Sequence, residues 1–312
     1  GVDTAGVRLV PIQTPKGPFK VWTKRFGSNP RIKLLLLHGG PGYDHSGFKP
    51  LFSRLADLAQ IVYVDHRGHG RSDRRPREEW TLDTFADDVV RLCDALGIDQ
   101  PIVLGQSFGG FVAQRYLARH PSHPGRVILS STSYHFGLGR KLAMFGRLGG
   151  PQARAVAEAF WTNPDAATWD EYNRVCKRHY NTTPQPQDAG ERTVFNTEIL
   201  FASIAGEQRT MDLRPGLARA QCPVLVMAGD ADLAAWVYPY IGLKGGLEWQ
   251  TAPKETVSKN INFKIETPIG LLVALNSRVA LDIGIPITFA FTSDGFKNLF
   301  LPIGYLGVRA FF

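Results

Sequence analysis

Gly105-Gln106-Ser107-Phe108-Gly109 is the stretch on which the reading of this chain turns. Immediately before it runs Pro101-Ile102-Val103-Leu104, a short apolar run suited to a buried parallel strand. After it, Phe111-Val112-Ala113-Gln114-Arg115-Tyr116-Leu117 carries apolar residues at helical spacing. A strand, a tight turn and a helix in that order hold the central residue in a strained backbone conformation, and the flanking glycines let neighbouring backbone pass close. Ser107 therefore reads as a nucleophile raised on a strand-to-helix turn. An ordinary glycine-rich turn would share the same five residues, so the surrounding chain has to decide between the two.

Upstream, Ile32-Lys33-Leu34-Leu35-Leu36-Leu37 is a near-continuous apolar run, the pattern of a strand covered on both faces. It ends in His38-Gly39-Gly40-Pro41-Gly42, a loop able to present N–H groups to an oxyanion, or else a plain turn. Phe48, Leu51, Phe52, Leu55 and Leu58 then recur at helical spacing, and Ile61-Val62-Tyr63-Val64 is a second buried strand. A second glycine-punctuated loop, Asp65-His66-Arg67-Gly68-His69-Gly70-Arg71-Ser72, precedes the amphipathic stripe Phe85, Val89, Leu92 and Leu96. This alternation predicts an α/β fold with a mostly parallel sheet and helices on both faces.

The 312 residues allow one large domain or two modest ones, and 44% hydrophobic with 21% charged residues excludes a disordered or all-membrane chain. The chain starts at Gly1, and its first thirty residues lack the pattern of a signal peptide, as expected of a fragment or a processed form. Cys93, Cys176 and Cys222 lie far apart without CxxC spacing. Neither a disulfide framework nor a metal site is expected from them, and a reducing compartment fits. No cofactor is expected either. The net charge of +8 is spread over scattered arginines with no RNP, helix-turn-helix or zinc-finger pattern, so no nucleic-acid partner is expected.

Taken together, His38-Gly39-Gly40-Pro41-Gly42, Asp65-His66-Arg67-Gly68-His69-Gly70-Arg71-Ser72 and Gly105-Gln106-Ser107-Phe108-Gly109-Gly110 resemble, in order and spacing, the α/β-hydrolases of the proline iminopeptidase (serine aminopeptidase) group. His66 stands where that group commonly has glutamine. The resemblance covers most of the first 235 residues. It implies Ser107 as nucleophile and the backbone N–H groups of Phe108 and Gly40 as oxyanion hole. Pro223-Val224-Leu225-Val226-Met227-Ala228 is a late strand, and in the Gly229-Asp230-Ala231-Asp232 that follows, Asp232 resembles the family's acid, with Asp230 the second choice and a solvated turn the ordinary alternative.

By the same resemblance residues 1–135 form the first part of the core, 136–217 a helical cap, and 218–236 the return strand with the acid loop. A cap that receives a substrate ammonium calls for buried carboxylates, for which Glu191 and Glu198 are the candidates; a solvated helix face would explain either. The implied activity is release of an N-terminal residue, preferably proline, from a small peptide through an acyl-enzyme, in the cytoplasm; an amide or ester substrate is the alternative. Serine at the turn argues against the epoxide and haloalkane hydrolases, which resemble this fold but carry aspartate there.

Two features depart from the family. The eight histidines are His38, His45, His66, His69, His120, His123, His135 and His179, so the base that should follow Asp232 is absent. Without a base to take its proton a serine hydroxyl is a poor nucleophile, so an impaired hydrolase or a non-catalytic, truncated or chimeric chain is expected. Residues 237–312 have a different character: Val279, Leu281, Ile283, Ile285, Ile287, Phe289 and Phe291 hold a period of two. This predicts an antiparallel β tail that resembles the closing strands of an outer-membrane β-barrel, with too few strands to close one and the only route to a membrane association.

Overall fold

Consecutive apolar residues make strands buried on both faces, and the main sheet is assembled around three of them. A computed structural model of the chain describes residues 5–181, 189–228, 248–250, 261–274, 279–292, 295–300 and 305–310. It divides into two units, Gly1–Trp236 and Val237–Phe312. In the first unit, β1 (Val7–Ile12) and β2 (Phe19–Phe26) form an antiparallel pair, followed by β3 (Lys33–Leu37) and β4 (Gln60–Val64). Helix α1 (Leu82–Leu96) leads to β5 (Ile102–Gln106), helix α2 (Phe108–Arg119) to β6 (Arg126–Ser130). The cap helices are α3 (Leu138–Thr162), α4 (Ala166–Val175), α5 (Ala189–Arg192) and α6 (Thr197–Ala205); the short α7 (Arg214–Leu217) then precedes β7 (Val224–Met227).

The sheet order is β1-β2-β4-β3-β5-β6-β7, with β4, β3, β5, β6 and β7 parallel. β3 lies in the middle, where Leu35, Leu36 and Leu37 are at most 1% exposed. On one face Leu34 and Leu36 pack with Trp22, Phe48, Ile61, Tyr63 and Leu104. On the other, Leu35 and Leu37 border a cavity of about 20 Å³ together with Phe85, Val89 and Leu92 of α1. Each such side chain removed from water contributes about 1.5–3 kcal/mol. Thr81 caps α1 by accepting the Thr84 N–H, and Gly97 ends it at φ 63°.

The stripe from Phe48 to Leu58 is not the α-helix that its spacing predicts. It forms two 3₁₀ turns, His45–Phe48 and Leu51–Leu55, and leaves Leu51 and Leu58 exposed. Pro50 between them has no N–H to give and its ring opposes a continuous helix. In the cap, α3 breaks at Gly150 (φ 73°), just before Pro151, and α4 opens with a capping box of Asp165 and Thr168. Phe145, Phe160, Tyr172, Leu200 and Ile204 form the cap's own core. The three cysteines are buried and none is in a disulfide: Cys93 in α1, Cys176 at the end of α4, Cys222 before β7. Burial pushes the Cys93 thiol up to about 12 and that of Cys176 to about 11.

The second unit contains, among the described residues, β8 (Glu248–Gln250), β9 (Ile261–Ala274), β10 (Val279–Thr292), β11 (Gly295–Phe300) and β12 (Tyr305–Ala310). All pairings are antiparallel, and β10 is flanked by β9 on one edge and by β11 and β12 on the other. Its register sets Leu281 opposite Val273 and Val308, and Ile283 opposite Leu271 and Leu306. Among the described residues no helix is long and apolar enough to cross a membrane.

Candidate active site

Ser107 sits between the end of β5 and the first residue of α2 with φ 53° and ψ −113°, a conformation that L-residues avoid and that persists only where the surroundings impose it. Its N–H donates to the Ser130 carbonyl at 3.0 Å, and its carbonyl accepts the Gly110 N–H at 2.9 Å and the Thr132 hydroxyl at 2.8 Å. The glycines make the approach possible. A Cβ on Gly109 would lie 2.0 Å from the Leu37 carbonyl oxygen, and one on Gly105 would lie 2.3 Å from that of Gly109. Ser107 stays half-buried while Phe108 beside it is 1% exposed. The backbone of Phe108 opens α2, where helix N–H groups and the dipole favour negative charge.

The first loop lies against this turn: a Cβ on Gly39 would be 3.2 Å from the Ser107 Cβ. Gly40 is held at φ 132°, and a Cβ there would meet the Gly42 nitrogen at 2.9 Å. The structure thus brings Ser107, Phe108 and the Gly39–Gly40 loop together. Asp232 and Asp230 lie outside the described residues.

No described group bonds the Ser107 hydroxyl, and the histidines nearest to the turn are committed elsewhere. His38 Nε2 lies 3.1 Å from the His66 backbone N–H and accepts from it, so Nδ1 carries the proton and donates to the Gly39 carbonyl at 2.8 Å. His66 and His69 pack against Phe108 and Phe85, with ring centroids 5.7–6.0 Å apart. Burial holds all three imidazoles below their usual range, His69 at about 3, so they are neutral at pH 7.

Two buried carboxylate systems shape the second loop. Asp65 accepts from the His45 ring at 2.7 Å, the His45 N–H at 3.0 Å and the Arg71 N–H at 2.9 Å. Burial pushes its carboxyl up, but the hydrogen bonds from His45 and from the Arg71 N–H outweigh this and hold it below the ordinary value. Arg67 is 2% exposed; it grips Asp88 with two bonds of 2.8 Å, pairs with Glu79, and lies 3.9 Å over the Phe19 ring. Its role is to fasten the loop to α1 and β2.

The expectation of buried carboxylates at Glu191 and Glu198 is not met, since both are exposed. The helical period turns Ile199, Leu200 and Ile204 inward and leaves Glu198 on the outer side of the first turn of α6, where its charge complements the helix N-terminus. Glu191 belongs to the four-residue helix α5. Among the described residues the basic or acidic side chain buried in this region is instead a lysine. Lys141 is 8% exposed, lies 4.2 Å over Phe136 and 4.4 Å over Trp161, and has no carboxylate partner among the described residues. Burial lowers its amine to about 7. Among the described residues no cluster of three or more histidine, cysteine or acidic side chains is placed to hold a metal ion.

A family model described as alpha/beta hydrolase fold matches residues 33–235. A proline iminopeptidase from Flavobacterium johnsoniae is 38% identical over 130 residues, which are 39% of this chain and 43% of that protein. The chain therefore spans less than half the length of this curated relative. Among solved structures, a proline iminopeptidase from Mycobacterium smegmatis superposes with a TM-score of 0.59 at 22% identity, covering 73% of this chain and 83% of that one. An esterase from Exiguobacterium antarcticum gives a TM-score of 0.52 at 21% identity over 73% and 83% of the two chains.

Proposed function

Since the chain belongs to the alpha/beta hydrolase fold family, we propose that its site is that of a serine hydrolase of the proline iminopeptidase type. It would release an N-terminal residue, preferably proline, from a peptide. The observation that carries this reading is the backbone of Ser107 at φ 53° and ψ −113°, held between Gly105 and Gly109 at the mouth of α2. In the reaction the Ser107 oxygen would attack the carbonyl of the first residue, its proton would pass through solvent water to the nitrogen of the second residue, and the C–N bond between them would break. The N–H groups of Phe108 and Gly40 receive the oxyanion, the amine departs protonated, and water then cleaves the acyl-serine.

Asp232 is assigned as the carboxylate of the relay, whose histidine has no counterpart after it in this sequence. With His38 and His69 hydrogen-bonded to the Gly39 and Arg67 carbonyls, the His66 ring packed against Phe108 and Phe85, and all three neutral, turnover would be limited to what the oxyanion donors and binding supply, several orders of magnitude below a complete triad. Hydrolysis of a proline arylamide and labelling of Ser107 by a fluorophosphonate test the reading. Slow hydrolysis and labelling, both abolished in Ser107→Ala, support it; an unlabelled Ser107 in the folded chain refutes it and leaves a binding protein on a hydrolase scaffold.

The exposure of Glu191 and Glu198 favours a second reading, an esterase or amidase whose substrate has no ammonium group. Faster hydrolysis of an N-acetylated than of a free-amine substrate would select it. We further read residues 1–135 and 218–236 as the core around the cap 136–217, and 237–312 as a segment of separate, outer-membrane-like origin; partition of the full chain into lipid vesicles tests the last point.

A further inference from the structure

One buried carboxylate joins three parts of the first unit. Asp44 follows the Gly39–Gly42 loop, and its side chain is 0% exposed. Its Oδ1 accepts the Ser46 N–H at 2.9 Å and so caps the turn His45–Phe48. Its Oδ2 accepts the Val194 N–H of the cap at 2.9 Å and the Arg71 guanidinium of the second loop at 3.2 Å. The bonds of a buried carboxylate are stronger than those between neutral groups, and an acceptor left unmatched in the interior is unfavourable.

The same cap segment, residues 193–196, touches the loops at further points. The Asn196 N–H donates to the Gly42 carbonyl at 2.8 Å and its side-chain amide to the Gly68 carbonyl at 3.0 Å, while the Thr193 and Ser46 hydroxyls lie 2.9 Å apart. A Cβ on Gly42 would fall 2.5 Å from the Asn196 carbonyl oxygen, so the two backbones are in direct contact. Phe195 packs on Tyr43 at 4.5 Å on the loop side and stacks on Trp169 at 5.5 Å on the cap side. The loop itself has little intrinsic preference: Gly40 and Gly42 stand at φ 132° and 94°, regions that glycine enters and leaves freely. Its shape is therefore set by its anchors, and Asp44 is the anchor whose one carboxylate binds the cap, the turn His45–Phe48 and the second loop together.

We propose that Asp44 is a positioning residue that makes the seating of the cap and the conformation of the Gly40 loop a single unit, so that displacement of residues 193–196 is transmitted to the oxyanion side of the site. The coupling stands on the contacts above; its meaning for catalysis rests on the hydrolase reading. Val194 cannot leave without stripping a bond from a carboxylate that also holds Ser46 and Arg71, which forces the loop to rearrange with it.

The test is a double-mutant cycle read by amide hydrogen exchange on the full chain, with Asn196→Ala loosening the cap side and Asp44→Asn removing the joint. With Asp44 present, Asn196→Ala should speed exchange about tenfold both in residues 193–200 and in residues 39–46, with β5 and α1 unchanged. In the Asp44→Asn background it should speed exchange only in 193–200. Equal loop effects in both backgrounds, or none in the first, overturn the proposal. Should Asp44→Asn not fold, the single variant Asn196→Ala still decides, because an unchanged loop refutes the coupling and an accelerated one supports it. Fluorophosphonate labelling of Ser107 on the same samples separates the two ideas: coupling without labelling sustains the joint and sinks the hydrolase reading, and labelling without coupling does the reverse.

Discussion

The two sheets of this chain use the same apolar residue types in opposite patterns. In β3, Leu34 to Leu37 are consecutive and all at most 7% exposed, because both faces are covered. In β10, Leu281, Ile283, Ile285, Ile287 and Phe289 alternate with Asp282, Gly284, Pro286 and Thr288, and every neighbour runs antiparallel. The difference teaches where a site can form. Parallel strands must be connected by crossovers, so the loops after β3, β4 and β5 leave the same edge of the sheet and gather there, whereas antiparallel neighbours return the chain through local turns.

The sharpest way to break the contrast is to move a carboxylate from one pattern into the other. β10 already carries Asp282, opposite Leu272 and Gly307, but Leu35→Asp in β3 would bury an unpaired charge at a position 0% exposed. The expected outcome is loss of the cooperative thermal transition of the first unit, by about 4 kcal/mol or more. Arg67→Ala comes next. It leaves the buried Asp88 and Glu79 carboxylates with only the less buried Arg91 and Arg75 and should lower stability by about 3 kcal/mol in urea titrations, whereas Arg67→Met loses the charges' partner but keeps some of the packing on Phe19.

Acid should weaken the first sheet progressively. His38, His66 and His69 have folded values lowered by burial, so the unfolded chain binds protons that the folded one refuses. Stability is then full above about pH 6.5 and falls as the pH drops toward the folded value of about 3 for His69, by about 1.4 kcal/mol per pH unit for each histidine. His66→Gln should reduce proton uptake on unfolding at pH 5 by about one. The smallest effect has the opposite sign. Below pH 7 Lys141 carries its charge inside the cap, and between about 7 and 10.5 the unfolded chain holds a proton that the folded one has released. Lys141→Met should therefore stabilise the protein by about 1 kcal/mol or more below pH 7, with the gain shrinking as the pH rises to 10.5.

The turn at Ser107, the runs at Leu34–Leu37 and Ile61–Val64 and the helix through Phe85 and Leu92 were legible because each is a local pattern: period, glycine placement and neighbours in sequence fix them. The stripe from Phe48 to Leu58 misled because spacing says nothing of a proline in its path. Glu191 and Glu198 misled for another reason, since an apolar neighbourhood in sequence does not decide which side of a helix a carboxylate takes. Lys141 and Asp44 gave no signal at all. The burial of Asp44 depends on partners far along the chain, such as Val194, which lies 150 residues from it, and that of Lys141 on how the chain around α3 sets Phe136 and Trp161 over its amine.

The three buried thiols mark three different parts of the first unit: Cys93 the helix behind the nucleophile strand, Cys176 the cap core, Cys222 the approach to the last parallel strand. A thiol with its ionisation pushed to about 12 or 11, as in Cys93 and Cys176, reacts with an aromatic disulfide reagent only when its surroundings open. The native protein thus carries its own clocks. The order in which the three sulfurs are trapped, resolved by peptide mass, would report the sequence in which cap, helix and sheet edge come apart.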